Sequence, residues 1–290
     1  MPEITPLHPC LAAEVVGLDL VTGPSDADFE VVRAAFDQYS VLVFRDQNIT
    51  DEQQIRFTER FGPLEGTKVG TPGAGSPLAL ITNLDPDGNI VPPNHRQVIN
   101  GRANGVWHAD SSFKEIPAWA SMLSGRIIAK HGGNTEFASM RAAYRDLPEQ
   151  LKTAIEGRVA LHHYAHGRDK IDPNLVTDEE RGMLPPVRQA LVLDRGSLGK
   201  SLYVGAHTKC VEGMDPDESE TLIEELKAFS TQEKYVYSHV WRSHDMVMWD
   251  NFAVVHRAMP YDAAKEKRHM VRTTLAGWST LGGVGAQAIS

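Results

Sequence analysis

The apolar residues near the start of the chain recur at helical spacing. Three or four positions separate Phe29, Val32, Phe36 and Tyr39. This spacing places all four on one face of a helix. Ser25 precedes them, and an acidic residue follows it three positions later, so we predict a helix that begins at a capped Ser25.

A short strand and a second helix are predicted next. The continuous apolar run 41–44 indicates a buried strand. Thr50 and Gln53 have the spacing of a capping box, Ile55 and Phe61 give the helix that follows an apolar face, and Gly-Pro at 62–63 would end it. The first part of the chain is therefore predicted to run helix, strand, helix.

From about residue 77 onward, the pattern changes to many short β-like runs separated by turn residues. The runs are 78–82, 119–124, 190–193, 201–204, 235–241, 246–249 and 270–275. Helical stretches are predicted at 140–156 and 217–229. This pattern favours a sandwich or barrel, and with no internal repeat or linker in view we expect one domain over 1–290, mainly β with flanking helices.

Two segments look like long connections. Residues 66–75 are rich in Gly and Thr, and residues 166–186 are polar and highly charged. Loops of this length in a compact domain are commonly functional or disordered. An active-site lid and a solvated surface excursion both fit each segment.

Charge restricts the partners. The 290 residues carry a formal net charge of −9, so we expect neither nucleic acid nor an anionic membrane as a partner. Local Arg or Lys side chains must hold any anionic ligand against that field. Only Cys10 and Cys210 are present, the first residues lack a signal-peptide pattern, and no apolar run is long enough for a membrane span. These features predict a cytoplasmic protein.

A candidate metal site begins with the pair His108-x-Asp110. On a strand these two side chains share a face and can bind one ion. His256 is the candidate third ligand. Two His and one carboxylate form the facial triad of non-haem iron(II) oxygenases, which leaves three positions for a bidentate 2-oxo acid and dioxygen. The pair alone means little, because 12 His in 290 residues give roughly one His-x-Asp by chance.

Two arginines follow the candidate third ligand. Arg268 and Arg272 are four positions apart in a strand-like run, so they would share a face about 13 Å apart. Two guanidinium groups so placed can hold two anions bidentately. Solvated charges on an exposed strand also fit, since Lys265 and Lys267 are close by.

Several motifs in order resemble the taurine and 2,4-dichlorophenoxyacetate dioxygenase (TauD/TfdA) family. They are the runs 41–45, 60–65, 107–113, 132–137, 140–144 and 249–251 with 256–257. The resemblance spans roughly 6–277. Runs 110–113, 140–144 and 205–207, together with 212–213, are most similar to the branch that acts on phenoxyacetate herbicides.

The resemblance implies a double-stranded β-helix, or jelly roll, framed by helices. It also implies that iron(II) is bound by His108, Asp110 and His256. Thr135 and Arg268 would hold the distal carboxylate of 2-oxoglutarate, and Trp249 would line that pocket.

The resemblance places the substrate anion on Arg272, with Lys68, Asn104 and His207 as further substrate-binding candidates. The stretch from His256 to the arginines is one residue longer than in the herbicide branch. Lys267 therefore competes with Arg268 for the 2-oxoglutarate position. We prefer Arg268, because lysine offers only a point charge.

The implied reaction consumes 2-oxoglutarate and dioxygen and hydroxylates a carbon beside an anionic group. An aryloxyacetate would then fall apart to a phenol and a 2-oxo acid. The same chemistry on a sulfonate, a sulfate ester or another small carboxylate stays open. A zinc hydrolase and a non-catalytic jelly-roll binding protein are weaker alternatives. Family habits and exposed sheet edges predict a homo-oligomer.

Overall fold

A computed structural model describes residues 1–67, 73 and 75–281. Its helices are α1 (Asp26–Tyr39), α2 (Asp51–Glu59), α3 (Arg96–Ala103), α4 (Met140–Asp146), α5 (Glu149–Ile155), α6 (Tyr164–Asp169), α7 (Asp178–Met183) and α8 (Pro216–Ser230). None of the helices in these ranges combines the length and apolar character that a membrane crossing requires.

Strands outnumber helices in the described residues. They are β1 (Glu3–Pro6), β2 (Ala13–Val16), β3 (Val41–Phe44), β4 (Leu78–Thr82), β5 (Ala118–Ile127), β6 (Thr135–Ser139), β7 (Val159–His162), β8 (Val187–Ala190), β9 (Val192–Asp194), β10 (Lys200–Leu202), β11 (Thr208–Val211), β12 (Val236–His239), β13 (Met246–Asp250), β14 (Val254–Ala258) and β15 (His269–Ala276). The described chain is therefore mainly β with several helices, as predicted.

One large sheet and three small ones organise these strands. The large sheet has seven strands in the order β1-β2-β3-β13-β5-β15-β4. The small sheets have the orders β12-β6-β14, β11-β7-β8 and β10-β9. All pairs are antiparallel except β2 with β3. Because β14 and β15 lie in different sheets, the chain turns from one sheet to the other between the predicted third metal ligand and the two arginines.

Helices α1 and α2 pack on the large sheet through aromatic side chains. Phe61 contacts Phe29 and Phe36 edge to face, with ring centroids 4.8 and 5.8 Å apart. Phe36 in turn contacts Trp119 of β5 at 5.9 Å. Edge-to-face contacts add to the free energy gained by burying these rings. The result is a packed aromatic layer on the sheet that carries Arg272.

The predicted helix starts are confirmed. The Ser25 hydroxyl accepts the Asp28 N–H at 3.2 Å, and Thr50 and Gln53 form a reciprocal capping box. The helix–strand–helix opening is incomplete, because β1 and β2 precede α1. These two strands have only four residues each, and β1 is mostly exposed, so they show little apolar alternation.

Two predicted runs are interrupted. The helical stretch 140–156 is two helices, because Leu147 is extended and Pro148 caps α5. The strand run 190–193 is split between β8 and β9 at Leu191. In both cases a local backbone change divides an apolar pattern that looks continuous in the sequence.

The polar segment 166–186 is not a structureless loop. It holds the end of α6 and the whole of α7, which starts at a Thr177–Glu180 capping box. Arg96 of α3 donates to Glu180 at 2.8 Å, so α7 is tied to α3. Of the segment 66–75, residues 68–72 and 74 lie outside the described residues. Whether either segment is a lid stays a prediction.

Candidate metal centre and ligand cavity

An isolated antiparallel β-bridge sets the relative position of two histidines. His108 and His256 exchange both backbone hydrogen bonds, with N···O distances of 3.0 and 2.8 Å. His256 belongs to β14, whereas His108 forms only this isolated bridge. The prediction that His108 and Asp110 share the face of a strand is therefore wrong. Asp110 instead enters a turn, in which Ser111 has a positive φ of 53°.

The turn brings the Asp110 carboxylate next to both imidazoles. One ligand atom from each of the three side chains lies within 4.8 Å of the others, and all three residues are buried. Nε2 of His256 is 3.8 Å from Oδ2 of Asp110. The structure thus brings together the three residues predicted to bind iron.

Hydrogen bonds fix the carboxylate. Ser121 donates to Oδ2 of Asp110 at 2.7 Å, and Arg272 donates to Oδ1 at 2.6 Å. The amide oxygen of Asn251 accepts the Asp110 backbone N–H at 3.1 Å and the Trp249 indole N–H at 3.0 Å. Sequence reasoning missed Ser121 and Asn251 as supports, and no spacing signal marks either one.

The protonation states suit a divalent cation. Burial lowers the pKa of both His108 and His256, so both imidazoles are neutral. The His108 ring donates Nδ1–H to the Val106 carbonyl at 2.8 Å, which leaves the Nε2 lone pair for a ligand. Burial opposes ionisation of Asp110, but the charge of Arg272 holds its carboxyl pKa well below the usual range. Two neutral nitrogens and one carboxylate oxygen fit iron(II).

A cavity of about 740 Å³ opens beside these residues. That volume is typical of small-molecule sites. Of the predicted site residues, those that border it are Asn104, His108, Asp110, His207, Arg268 and Arg272. Thr135 and Trp249 are buried and do not border it. The Thr135 hydroxyl accepts the Trp241 indole N–H at 3.0 Å, and the Trp249 ring packs on His256 with centroids 4.7 Å apart.

Arg268, not Lys267, faces the cavity. Arg268 is 7% exposed and lies just before β15, whereas Lys267 is exposed to solvent. The Arg268 guanidinium donates to the Gly133 carbonyl at 3.4 Å and lies 5.7 Å from the Tyr261 ring centroid. Within the described residues, no carboxylate lies within ion-pairing distance of it. Burial therefore favours Arg268 over Lys267 as the residue at the 2-oxoglutarate position.

The residues predicted to bind the substrate differ in their surroundings. Arg272 lies on β15 and forms the ion pair with Asp110. Asn104 follows α3, and its carbonyl accepts the Ala258 N–H at 2.8 Å. His207 is 5% exposed and uses both ring nitrogens for contacts within the protein. Lys68 lies outside the described residues.

Comparison with known proteins agrees with this site. The family "Taurine catabolism dioxygenase TauD, TfdA family" matches residues 3–274. The chain is 38% identical over 276 residues to the α-ketoglutarate-dependent 2,4-dichlorophenoxyacetate dioxygenase of Cupriavidus pinatubonensis, covering 93% of this chain and 96% of that protein. It is 34% identical over 284 residues to the (S)-phenoxypropionate/α-ketoglutarate dioxygenase of Sphingobium herbicidovorans, covering 95% of each.

A solved structure is also similar. The crystal structure of AAD-2 in complex with Mn(II) and N-oxalylglycine superimposes with a TM-score of 0.89 and 39% identity, covering 97% of this chain and 99% of that one. Enzymes of this class use iron(II), 2-oxoglutarate and dioxygen, to which the His-Asp-His centre is suited. The chain belongs to the TauD/TfdA family and is a 2-oxoglutarate-dependent dioxygenase.

Proposed function

We propose that the chain hydroxylates the carbon next to the carboxylate of an aryloxyacetate-type ether, which then yields a phenol and a 2-oxo acid. One observation carries this proposal. A single cavity joins His108 and Asp110 to the guanidinium groups of Arg268 and Arg272. A 2-oxo acid and a second anion can therefore lie side by side next to the same metal ion.

The roles of the protein groups follow from their surroundings. His108, Asp110 and His256 would hold iron(II). Arg268 would bind the distal carboxylate of 2-oxoglutarate, since its guanidinium is buried without a carboxylate partner among the described residues. Thr135 and Trp249 remain proposed for the same pocket, and the Trp241 indole would hold the Thr135 hydroxyl in place.

The substrate would lie on the other side of the metal position. Arg272 is proposed to bind its anionic group, and Lys68, Asn104 and His207 stay candidates for further contacts. The Arg272 guanidinium already bonds to Asp110, so a carboxylate on its free N–H groups would be held next to the metal ligand. That geometry presents the adjacent carbon for reaction.

Bound iron would supply the activation of dioxygen that is coupled to the oxidative decarboxylation of 2-oxoglutarate to succinate and carbon dioxide. The protein's part is to bind both anions, orient the C–H bond and exclude water. A carbon that carries both a new hydroxyl and the ether oxygen is a hemiacetal, which collapses to the phenol and the 2-oxo acid.

A carboxylate is favoured over a sulfonate or a sulfate ester. The two named relatives act on 2,4-dichlorophenoxyacetate and phenoxypropionate, and both substrates are aryloxy carboxylates. A zinc hydrolase would have no use for the two arginines that line the cavity. A non-catalytic binding protein would have no need of three intact ligands.

We also propose that the sheets form a double-stranded β-helix, because the AAD-2 structure superimposes over nearly the whole chain. One domain over 1–290 is proposed on the same ground. The predicted homo-oligomer and the predicted cytoplasmic location stay proposals, which size-exclusion chromatography with light scattering and cell fractionation would test.

The experiment is a substrate panel. Purified chain with iron(II), ascorbate and 2-oxoglutarate is given aryloxyacetates, alkyl sulfonates and alkyl sulfate esters in air. We expect succinate and a phenol in equal amounts from the aryloxyacetates. Turnover that needs no 2-oxoglutarate would favour the hydrolase alternative. No succinate above background with any of the three classes would refute the enzyme proposal.

A further inference from the structure

A second arginine faces the substrate side of the cavity. Arg168 lies on α6 and borders the same cavity as Asp110 and Arg272. Nη1 of its guanidinium is 3.2 Å from Nε2 of His207 and 3.3 Å from the Tyr164 carbonyl oxygen. The guanidinium carbon also lies 3.9 Å from the centroid of the Tyr164 ring. The orientation of the group is thus fixed on two sides.

His207 accepts a hydrogen bond from the Arg168 guanidinium. Arg168 can only donate, so Nε2 of His207 accepts, and Nδ1–H is left to donate to the Ser112 hydroxyl at 3.0 Å. Both ring nitrogens are then used. His207 therefore holds the Arg168 guanidinium in place.

The charges around the cavity are unevenly matched. Its described lining holds five basic and three acidic side chains, namely Arg102, Lys114, Arg168, Arg268 and Arg272 against Glu65, Asp110 and Asp262. Lys114 pairs with Glu65, Arg272 with Asp110, and Asp262 with Lys265 outside the cavity. Arg102 is exposed to solvent.

Apart from the exposed Arg102, two cavity arginines have no carboxylate within 4.0 Å in the part of the chain that the structure describes, Arg168 and Arg268. Arg268 is the group proposed above for 2-oxoglutarate. Arg168 has Nη1 contacts to neutral partners only, its Nε is buried without a hydrogen bond, and burial lowers its pKa. A desolvated cation gains most from an anionic partner.

We propose that Arg168 binds the anionic group of the substrate together with Arg272, and so helps the site to select an anionic over a neutral substrate. This inference rests on the proposed function. The surroundings fit an aryloxy carboxylate, because Phe113, Tyr164 and Leu184 border the cavity beside Arg168. Phe113 and Tyr164 meet edge to face at 4.8 Å and offer an apolar surface to an aryl ring.

The test compares a charged and a neutral probe. The chain is loaded with Mn(II) and N-oxalylglycine, so no turnover occurs, and titration calorimetry measures the affinity for two probes, the acid 2,4-dichlorophenoxyacetate and its primary amide. Arg168→Gln removes the charge. Arg168→Lys keeps it as a point charge, which guards against a folding defect in the first variant. Arg181→Gln is the matched control, because Arg181 pairs with Asp169 in the same segment but does not border the cavity.

We expect Arg168→Gln to weaken binding of the acid by about 10- to 100-fold and of the amide by less than about 3-fold. Arg168→Lys should lose less, and Arg181→Gln should bind both probes like the unmodified chain. Equal weakening of acid and amide would make Arg168 a structural residue and overturn the inference. Unchanged binding of the acid would also overturn it. If the unmodified chain binds neither probe, the proposed function itself fails.

Discussion

His108 and His256 hold each other through two reciprocal backbone hydrogen bonds of 3.0 and 2.8 Å. The pairing places their imidazoles with ring centroids 4.2 Å apart. The third group, Asp110, is held by Ser121 and Arg272. A centre whose ligands are positioned by backbone and neighbouring side chains costs little reorganisation when an ion binds.

Metal binding should depend on the Asp110 carboxylate. Asp110→Asn keeps the shape of the side chain but removes its negative charge. We expect Mn(II) at 100 times the Kd to stabilise the unmodified chain by about 2.7 kcal/mol and the variant hardly at all. Thermal unfolding with and without Mn(II) measures the difference.

Asp250→Asn is the control for this experiment. Asp250 is also a buried carboxylate with an arginine partner, Arg195, but it lies outside the three-residue cluster. The control should lose stability yet keep the increment that Mn(II) adds. An equal increment in Asp110→Asn and the unmodified chain would exclude Asp110 as a ligand.

Substitutions of Arg272 and Arg268 should weaken the binding of different ligands. We expect Arg272→Ala, assayed at saturating iron(II), to raise the KM for the aryloxyacetate by about 10- to 100-fold, because a charge-assisted bond is lost. The KM for the co-substrate, 2-oxoglutarate, should change far less. Arg268→Ala should show the reverse pattern in the same steady-state assays. Equal losses for both ligands in either variant would contradict the division of roles.

The local features of the fold were predictable, because each depends on residues close together in the chain. The caps at Ser25 and Thr50 are examples, since both use a side chain and a backbone group three positions apart. Strands β1 and β6 were missed, because they are short and partly polar and exist through pairing with distant segments. The turn at Asp110 was missed for a different reason: Ser111 adopts a left-handed conformation that its residue type does not signal.

The residues of the candidate site also fall into a group that the sequence predicts and a group that only the fold reveals. Its chemically distinctive residues, the three proposed metal ligands and the arginines Arg268 and Arg272, could be selected from motifs and residue chemistry. The residues that support them could not. Ser121, Trp241 and Arg168 each meet their partner across many intervening residues, and none belongs to a recognisable spacing pattern. The preference for Arg268 over Lys267 came from residue chemistry, and the fold adds that only Arg268 is buried.

The hydrogen bond from the Trp241 indole should affect the KM for the co-substrate, 2-oxoglutarate, but not the KM for the aryloxyacetate. Trp241→Phe removes the N–H that donates to the Thr135 hydroxyl while preserving an aromatic ring against His239, whose centroid lies 4.6 Å away. We expect the KM for the co-substrate to rise by about 2- to 10-fold, the effect of one neutral hydrogen bond. The KM for the aryloxyacetate should stay unchanged. A rise in the KM for the aryloxyacetate alone would contradict the proposal that Thr135 binds 2-oxoglutarate.

Acid should destabilise the fold through His162. This residue is 2% exposed and stacks on Tyr203, and burial lowers its pKa to about 3. The unfolded chain protonates His162 near its ordinary value of 6.5, so stability is unaffected above that pH and is lost as the pH falls from 6.5 towards 3. Between pH 6.5 and 5 the loss is about 2 kcal/mol.

His162→Gln removes this titration and leaves every other buried histidine in place. Urea unfolding of both chains at pH 6.5 and 5 compares the two pH dependences, so any constant cost of the substitution cancels. The variant should lose about 2 kcal/mol less than the unmodified chain over this interval. Identical losses would show that His162 protonates equally well in the folded chain.

Every role assigned above depends on where the metal and the co-substrate bind, and a crystal structure of the chain with Mn(II) and N-oxalylglycine would show both positions. We predict one Mn(II) bound by His108, Asp110 and His256, with the distal carboxylate of N-oxalylglycine on Arg268 and with Arg168 and Arg272 free for a second anion. Mn(II) bound by other side chains, or the distal carboxylate on Arg168 or Arg272, would contradict these assignments.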